Sequence, residues 1–322
     1  MKIVFFGSSK YSVISAAIIK DKLGLTLVVT NPDKPSGRQR QLTVSPVKQF
    51  AQKNKLALLE TDQLDQRALE TISDTEPDFL IVADYGKILP KSLLDLPKYT
   101  ALNIHHSLLP KHRGPSPAPA AILAGEKISG VTIIKMTEEV DAGDILAQQE
   151  YELAPNETTD SLLIRLNKIG AELIVGLLPN LAHSRSVSRL HPRGEVETKP
   201  GEHPGGAPQD ESQATYTHRF TKQDGFIDPE KPPDPQTFDR MVRAFYPWPG
   251  VWSKVILRQT QDDAERSRSI KVKSEKLILI KFLPGNLIQP EGKRPMSINE
   301  FMNGYPAVYE QIKHVFSQKA QS

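Results

Sequence analysis

Apolar residues along the first half of the chain follow two periods, and the alternation between them predicts a layered α/β fold. Ile3-Val4-Phe5-Phe6 is a short continuous apolar run closed by Gly7-Ser8-Ser9. Unbroken runs of this length suit strands buried on both faces. Residues 13–19 then carry apolar side chains at helical spacing, and residues 25–30 form a second buried run closed by Asn31-Pro32-Asp33. Residues 46–55 read as a helix, with Ser45 as the N-cap and Pro46 in the first turn. Further strand-like runs occupy 79–83, 101–104, 131–136 and 145–149. A long amphipathic helix over 161–181, with Thr159 or Asp160 at its cap, closes this part of the chain. Strands alternating with helices predict βαβ units and a mostly parallel sheet.

The pattern breaks after residue 182. Residues 193–206 are polar and rich in Pro and Gly, too poor in apolar surface to offset the entropy of ordering, and 183–213 is expected to be a flexible linker. Runs at 251–257, 270–272 and 277–282, interrupted by a polar insert at 259–269, predict a small all-β domain, with a barrel as one arrangement. The expected organisation is therefore a catalytic domain over 1–182, the linker, and a C-terminal domain over 214–322. A chain of 322 residues fits two domains and needs no covalent staple. It has no cysteine, which removes disulfides, thiol nucleophiles and cysteine zinc sites. No apolar run approaches the roughly 20 residues that span a bilayer, and the N-terminus enters a strand directly, so a cytoplasmic protein without membrane contact is expected.

Charge adds one distinction. The net charge is +3, but residues 215–322 hold 17 Lys and Arg against 12 Asp and Glu. A basic C-terminal third suits an anionic partner such as nucleic acid, although a solvated surface with a few extra lysines explains the same numbers.

Several clusters could carry chemistry. Gly7 stands alone after the first strand, without the Gly-x-Gly-x-x-Gly of a dinucleotide site, so NAD is not expected and a tight strand-to-helix turn suffices. Asn103 and His105 are two residues apart at the end of a buried strand and so share one face. Ligands in open α/β sheets sit beyond the carboxyl ends of strands. There the amide could hold a developing oxyanion while the imidazole donates or moves a proton, as acyl-type transfer requires. A polar strand end with satisfied hydrogen bonds is the plainer alternative. Asp141, in Asp141-Ala142-Gly143-Asp144, sits in turn chemistry, but a carboxylate there could orient His105 and raise its basicity. His105, His106 and His112 are close in sequence, yet adjacent residues of an extended segment point to opposite faces and no helical His pair exists, so no metal site is expected. The sequence also lacks a Gly-x-Ser-x-Gly elbow. The basic loop with Lys34, Arg38 and Arg40 could meet a phosphate backbone or simply face solvent. The aromatics of 243–252 read as a packed junction more readily than as a base-stacking platform.

Together these residues resemble the folate-dependent formyltransferases. The resemblance rests on Asn103-Ile104-His105 followed by Ser107-Leu108-Leu109-Pro110 and Arg113-Gly114, then Gly130-Val131-Thr132, then Asp141 with Gly143-Asp144-Ile145. Pro35-Ser36-Gly37-Arg38, Tyr85-Gly86-Lys87-Ile88-Leu89-Pro90 and the 243–250 and 290–296 stretches resemble the branch that formylates methionine-charged initiator tRNA. It covers most of 1–182 and 214–306. The resemblance implies a Rossmann-like catalytic domain with a small C-terminal β-barrel of OB type, and 10-formyltetrahydrofolate as donor. It implies neither metal nor nicotinamide. It also implies catalytic roles for Asn103, His105 and Asp141, folate contacts from Ser107, Leu108, Leu109, Pro110, Tyr85 and Gly86, and tRNA contacts from Lys34, Arg38 and Arg40. A monomer acting on tRNA and a small folate is expected. The alternatives are a sugar-nucleotide N-formyltransferase on the same core and a non-catalytic RNA-binding protein. His106 departs from the family's pattern, which has Gly or Pro there.

Overall fold

The computed structural model describes residues 1–36, 41–188, 206–259 and 274–316. Two compact units emerge: the first comprises 1–118, 127–153 and 161–218, the second 119–126, 154–160 and 219–322.

The first unit contains, in order, β1 (Ile3–Phe6), α1 (Ser12–Leu23), β2 (Leu27–Thr30), the hairpin strands β3 (Lys34–Ser36) and β4 (Gln41–Thr43), α2 (Pro46–Lys53), β5 (Leu58–Glu60), α3 (Gln66–Ser73) and β6 (Phe79–Val82). It continues through α4 (Lys91–Leu94), β7 (Thr100–His105), α5 (Pro117–Ala124, which straddles the two units), β8 (Ile128–Lys135), β9 (Ile145–Glu152) and α6 (Thr159–Ser188). A seven-stranded sheet runs in the order β5-β2-β1-β6-β7-β8-β9. The first five strands are parallel, and β8 and β9 are antiparallel additions at one edge. This mostly parallel Rossmann-like sheet is the one the alternating periods predict. Every residue of β1, β2 and β6 is buried, as strands covered on both faces must be. Each buried Ile, Val or Phe there contributes about 1.5–3 kcal/mol over an exposed position. Val4, Phe6, Leu80 and Leu93 centre one core cluster.

Local chemistry sets the ends. A Cβ on Gly7 would lie 2.8 Å from the Phe5 ring and from Ser12 Oγ, so glycine is what lets β1 turn tightly into α1. Asp65 caps α3 by accepting from the Ala68 amide. Ser45 occupies the N-cap position of α2, yet its side chain makes no cap bond. Its hydroxyl pairs with Thr30 Oγ1 at 2.9 Å, tying the helix start to the end of β2. α6 begins at Thr159 and runs to Ser188, longer than the expected 161–181, because its pattern stays helix-compatible into the stretch taken as linker.

The second unit adds α7 (Pro235–Ala244), β10 (Val251–Gln259), β11 (Ser274–Leu283), β12 (Leu287–Pro290), β13 (Met296–Ser297), α8 (Ile298–Gly304) and α9 (Pro306–Ile312). Strands β10 to β13 form an antiparallel sheet in chain order. Phe238 of α7 stacks edge-on against Phe282 and Phe316, giving this sheet its own apolar core. The described residues thus hold an antiparallel sheet with three helices where strand spacing alone suggested an all-β domain. The helices were hidden by flanking prolines and reveal themselves through capping: Asp234 accepts from Gln236 and Thr237, and Ser297 forms a capping box with Glu300. The expected insert at 259–269 falls, beyond residue 259, outside the described residues, as do residues 189–205 of the expected linker. The aromatic stretch divides: Phe245 and Trp252 are buried, while Trp248 is 60% exposed.

Candidate active site

Strand β7 delivers the first two groups. Alternation puts Asn103 and His105 on one face at its carboxyl end, where β7 pairs with β8 through His105 and Thr132. The third group comes from the loop between β8 and β9, where Asp141 adopts a φ of +53°. The Asp141 carboxylate accepts from Asn103 Nδ2 at 3.2 Å through Oδ1. Through Oδ2 it accepts from the Gly114 amide at 2.9 Å and faces His105 Nδ1 at 3.4 Å. His105 Nε2 lies 3.0 Å from the His112 carbonyl oxygen. Both ring nitrogens therefore meet oxygen acceptors, and a cationic ring donates to both while a neutral ring donates to one at a time. His105 is 5% exposed and the Asp141 side chain 12%, so this pair operates largely away from bulk water. An amide donor, an imidazole and a carboxylate thus converge beyond the end of a central strand.

The loop after β7 is held rigidly. Ser107 Oγ donates to the Lys111 carbonyl. Thr132 Oγ1 donates to the Ser107 carbonyl at 2.6 Å and accepts from the Leu109 amide at 3.1 Å. Gln148 Nε2 bonds both Thr132 Oγ1 and the Leu109 carbonyl. Ser107 and Leu109 are buried and Leu108 and Pro110 partly so, giving a pinned wall beside the cluster. Tyr85 and Gly86 follow β6, the neighbouring strand. The Tyr85 ring packs edge-on against Phe6 within the core, and burial, with Asp62 adding to it, pushes the phenol up to about 12. Gly86 has a φ of +77°. Lys34 begins β3, whereas Arg38 and Arg40 lie outside the described residues. The base of that hairpin is anchored by Lys48, which bonds Asp33 at 2.8 Å and Glu60 at 2.9 Å. The Lys48 bond holds the Asp33 carboxyl below its usual range.

His106 points away from this cluster into a second buried network. Its Nδ1 lies 3.4 Å from Asp84 Oδ1. Asp84 also accepts from Ser9 Oγ and Asn167 Nδ2, and Asn167 Oδ1 accepts from Ser15. Burial pushes the His106 ring below its ordinary value, with Asp84 opposing that shift.

Sequence reading placed Arg113 in the motif but missed its partners. Arg113, 2% exposed, donates from Nε and Nη2 to Gln209 Oε1 at 3.0 and 2.8 Å. Its Nη1 and Nη2 reach Glu211 at 2.8 and 2.6 Å, and this carboxylate further stabilises the guanidinium charge. Residues 215–217 run beside 112–116 through bonds from His112, Arg113 and Ser116 to Thr215 and Thr217 and back. Nothing local signals this, because the partners are about a hundred residues apart in the chain. Among the described residues no group of three or more His, Cys, Asp or Glu could hold a metal ion, and no helix is long and apolar enough to cross a membrane.

Residues 1–178 match the formyl transferase family and residues 219–306 the formyl transferase C-terminal domain. The chain belongs to the formyltransferase family. A methionyl-tRNA formyltransferase of Chloroflexus aurantiacus is 36% identical over 95% of this chain and 98% of its own length. One from Chloroflexus aggregans is 41% identical over 79% of this chain and 76% of its own. The fold is also that of solved formyltransferases. A methionyl-tRNA formyltransferase from Clostridium thermocellum superposes with a TM-score of 0.52 at 16% identity, covering 87% of this chain and 99% of its own. A sugar N-formyltransferase from a Shewanella species gives 0.55 at 17% identity, covering 79% of this chain and 92% of its own. Formyltransferases of this family take folate-derived formyl donors.

Proposed function

We propose that this formyltransferase moves the formyl group of 10-formyltetrahydrofolate onto the α-amine of methionine carried by initiator tRNA. The observation that carries the reading is the convergence of Asn103, His105 and Asp141 at the end of β7, in a chain that aligns along nearly its whole length with enzymes named for that reaction. The acceptor amine attacks as the free base, the formyl carbonyl becomes a tetrahedral oxyanion, and the bond to the folate nitrogen then breaks. Asn103 Nδ2 and a protonated His105 are the donors for that oxyanion. For His105, donation to substrate exchanges the His112 carbonyl for the substrate oxygen. Asp141 orients the imidazole and accepts the amine proton through water, and the folate nitrogen leaves with a proton. No electrons are transferred, so no nicotinamide enters the reaction, and the chain's own donors supply the electrostatic stabilisation without a metal.

The folate lies along the pinned loop of Ser107, Leu108, Leu109 and Pro110, with Tyr85 and Gly86 on the neighbouring strand end. Lys34, Arg38, Arg40 and the basic C-terminal region supply the phosphate contacts for tRNA. In this reading the protein works as a monomer in the cytoplasm. The test mixes purified protein with 10-formyltetrahydrofolate, methionine-charged initiator tRNA, charged elongator tRNA and an amino-sugar nucleotide, and follows products by mass spectrometry. Formylmethionyl-tRNA from the initiator alone supports the reading. A formylated sugar without tRNA product keeps the chemistry and discards the acceptor.

A further inference from the structure

We propose that Gln209 is a positioning residue for the Asp141 carboxylate; this rests on the catalytic reading of Asp141 given above. The side-chain amide of Gln209 is used at both ends. Its Nε2 donates to the main-chain carbonyls of Asp141 at 2.9 Å and Gly143 at 2.7 Å. Its Oε1 accepts twice from the buried Arg113 guanidinium. The loop it grips needs an external hold. Asp141 sits at a φ of +53°, a region that residues bearing a Cβ avoid, so the local backbone does not fix this conformation by itself. Gly143 lies so close to β8 that a Cβ there would come within 1.8 Å of the Lys135 carbonyl oxygen.

The geometry closes a ring. Gln209 bonds the main chain of Asp141 on one side and the side chain of Arg113 on the other. The Asp141 carboxylate in turn bonds the amide of Gly114, the residue after Arg113. Arg113 is itself seated by main-chain bonds with Thr215 and Thr217 and by Glu211. Gln209 therefore sets how far the Asp141 carboxylate stands from Gly114 and from His105. An error of about 1 Å at such a position can cost on the order of a hundredfold in rate.

Three variants separate this role from simple support of the fold. Gln209→Ala removes both sets of bonds. Gln209→Glu keeps an acceptor for Arg113 but turns an oxygen toward two carbonyl oxygens. Glu211→Ala removes a partner of Arg113 and leaves the Gln209 bonds to the loop. The expected result is a kcat loss of roughly tenfold or more for both Gln209 variants, with KM for donor and tRNA within about twofold, and a smaller kcat loss for Glu211→Ala, which loosens Arg113 but keeps the Gln209 bonds to the loop. In the substrate-free protein, hydrogen exchange at the Gly114 amide, which the Asp141 carboxylate protects, should quicken by about tenfold in the Gln209 variants while the core amide of Val131 does not change. Wild-type kcat in Gln209→Glu would reduce Gln209 to an acceptor for Arg113 and overturn the proposal. Unchanged Gly114 exchange in Gln209→Ala would overturn it as well. That exchange is read without any acceptor substrate, so it judges Gln209 even if the wild-type protein were to formylate some other amine.

Discussion

Replacing Asn103 by Asp changes one atom in the cluster and exposes its electrostatics. In the wild type the Asn103 amide donates to Asp141 Oδ1 across 3.2 Å. The variant sets a second carboxylate at that distance, in a site where the Asp141 side chain is 12% exposed. Two unit charges 3.2 Å apart repel by about 5 kcal/mol at an effective dielectric constant of about 20. At about 1.4 kcal/mol per pH unit, that is enough to keep one shared proton on the pair near neutral pH. The donor aimed at the oxyanion is lost in either protonation state of interest, because a shared proton is held between the two carboxyls. Loss of one such donor reduces kcat by about 10²–10³-fold. The same repulsion makes the folded variant take up a proton that the unfolded chain does not hold near neutral pH, so its melting temperature should fall, and turnover is compared below that melting point. The assay is steady-state formylation of methionine-charged initiator tRNA, with a melting curve run on the same preparation. A folded Asn103→Asp protein with kcat within about threefold of wild type would refute the oxyanion role.

Other consequences follow from the same geometry. Gly143→Ala drives a Cβ to within 1.8 Å of the Lys135 carbonyl oxygen. It should displace the Asp141 loop, cost about 1–3 kcal/mol of stability and reduce activity severely, as thermal melts and turnover would register. His106 is held below its ordinary value of 6.5 by burial, with Asp84, His105, Asn167 and Asp141 around it. The unfolded chain therefore binds more protons there, and this contribution to stability is whole above about pH 6.5 and is lost as the pH falls below it. Melting temperature measured across that range should fall more steeply for wild type than for His106→Asn, and equal slopes would contradict the assignment. Arg38→Ala should raise KM for tRNA and leave folate binding intact, and a loss of folate binding would point to a different role for that loop.

How much could be read from the chain depended on how local the signal was. β1 and β6 are unbroken apolar runs and β2 is one up to Thr30, and their shortness and flanking turn residues fit strands buried on both faces. Asn103 and His105 were readable as a pair because side chains two apart on a strand share a face, and strand ends are where such sheets bind ligands. Asp141 looked like ordinary turn chemistry, and its left-handed backbone became visible only in three dimensions. Arg113 stood in the motif, but its pairing with Gln209 was invisible for a different reason. Their bonds span 96 residues and cross a polar stretch whose composition gives no pairing partner. In the C-terminal unit, α7 starts on the last of three prolines within residues 232–235, a stretch that carries no helix signal until the Asp234 cap is seen to start the helix at Pro235. Trp248 and Phe245 illustrate the limit of composition, since neighbouring aromatics in one short stretch end at 60% and 3% exposure.

The central claim is that the cluster at the end of β7 performs formyl transfer, and a single-turnover measurement meets it most directly. Enzyme in excess is mixed with 10-formyltetrahydrofolate and methionine-charged initiator tRNA, and the rate of formylmethionyl-tRNA formation is compared between wild type and His105→Ala. The account predicts prompt transfer by the wild type and a rate about 10²–10⁴-fold lower in the variant, with donor and tRNA binding retained. Equal single-turnover rates in the two folded proteins would contradict it.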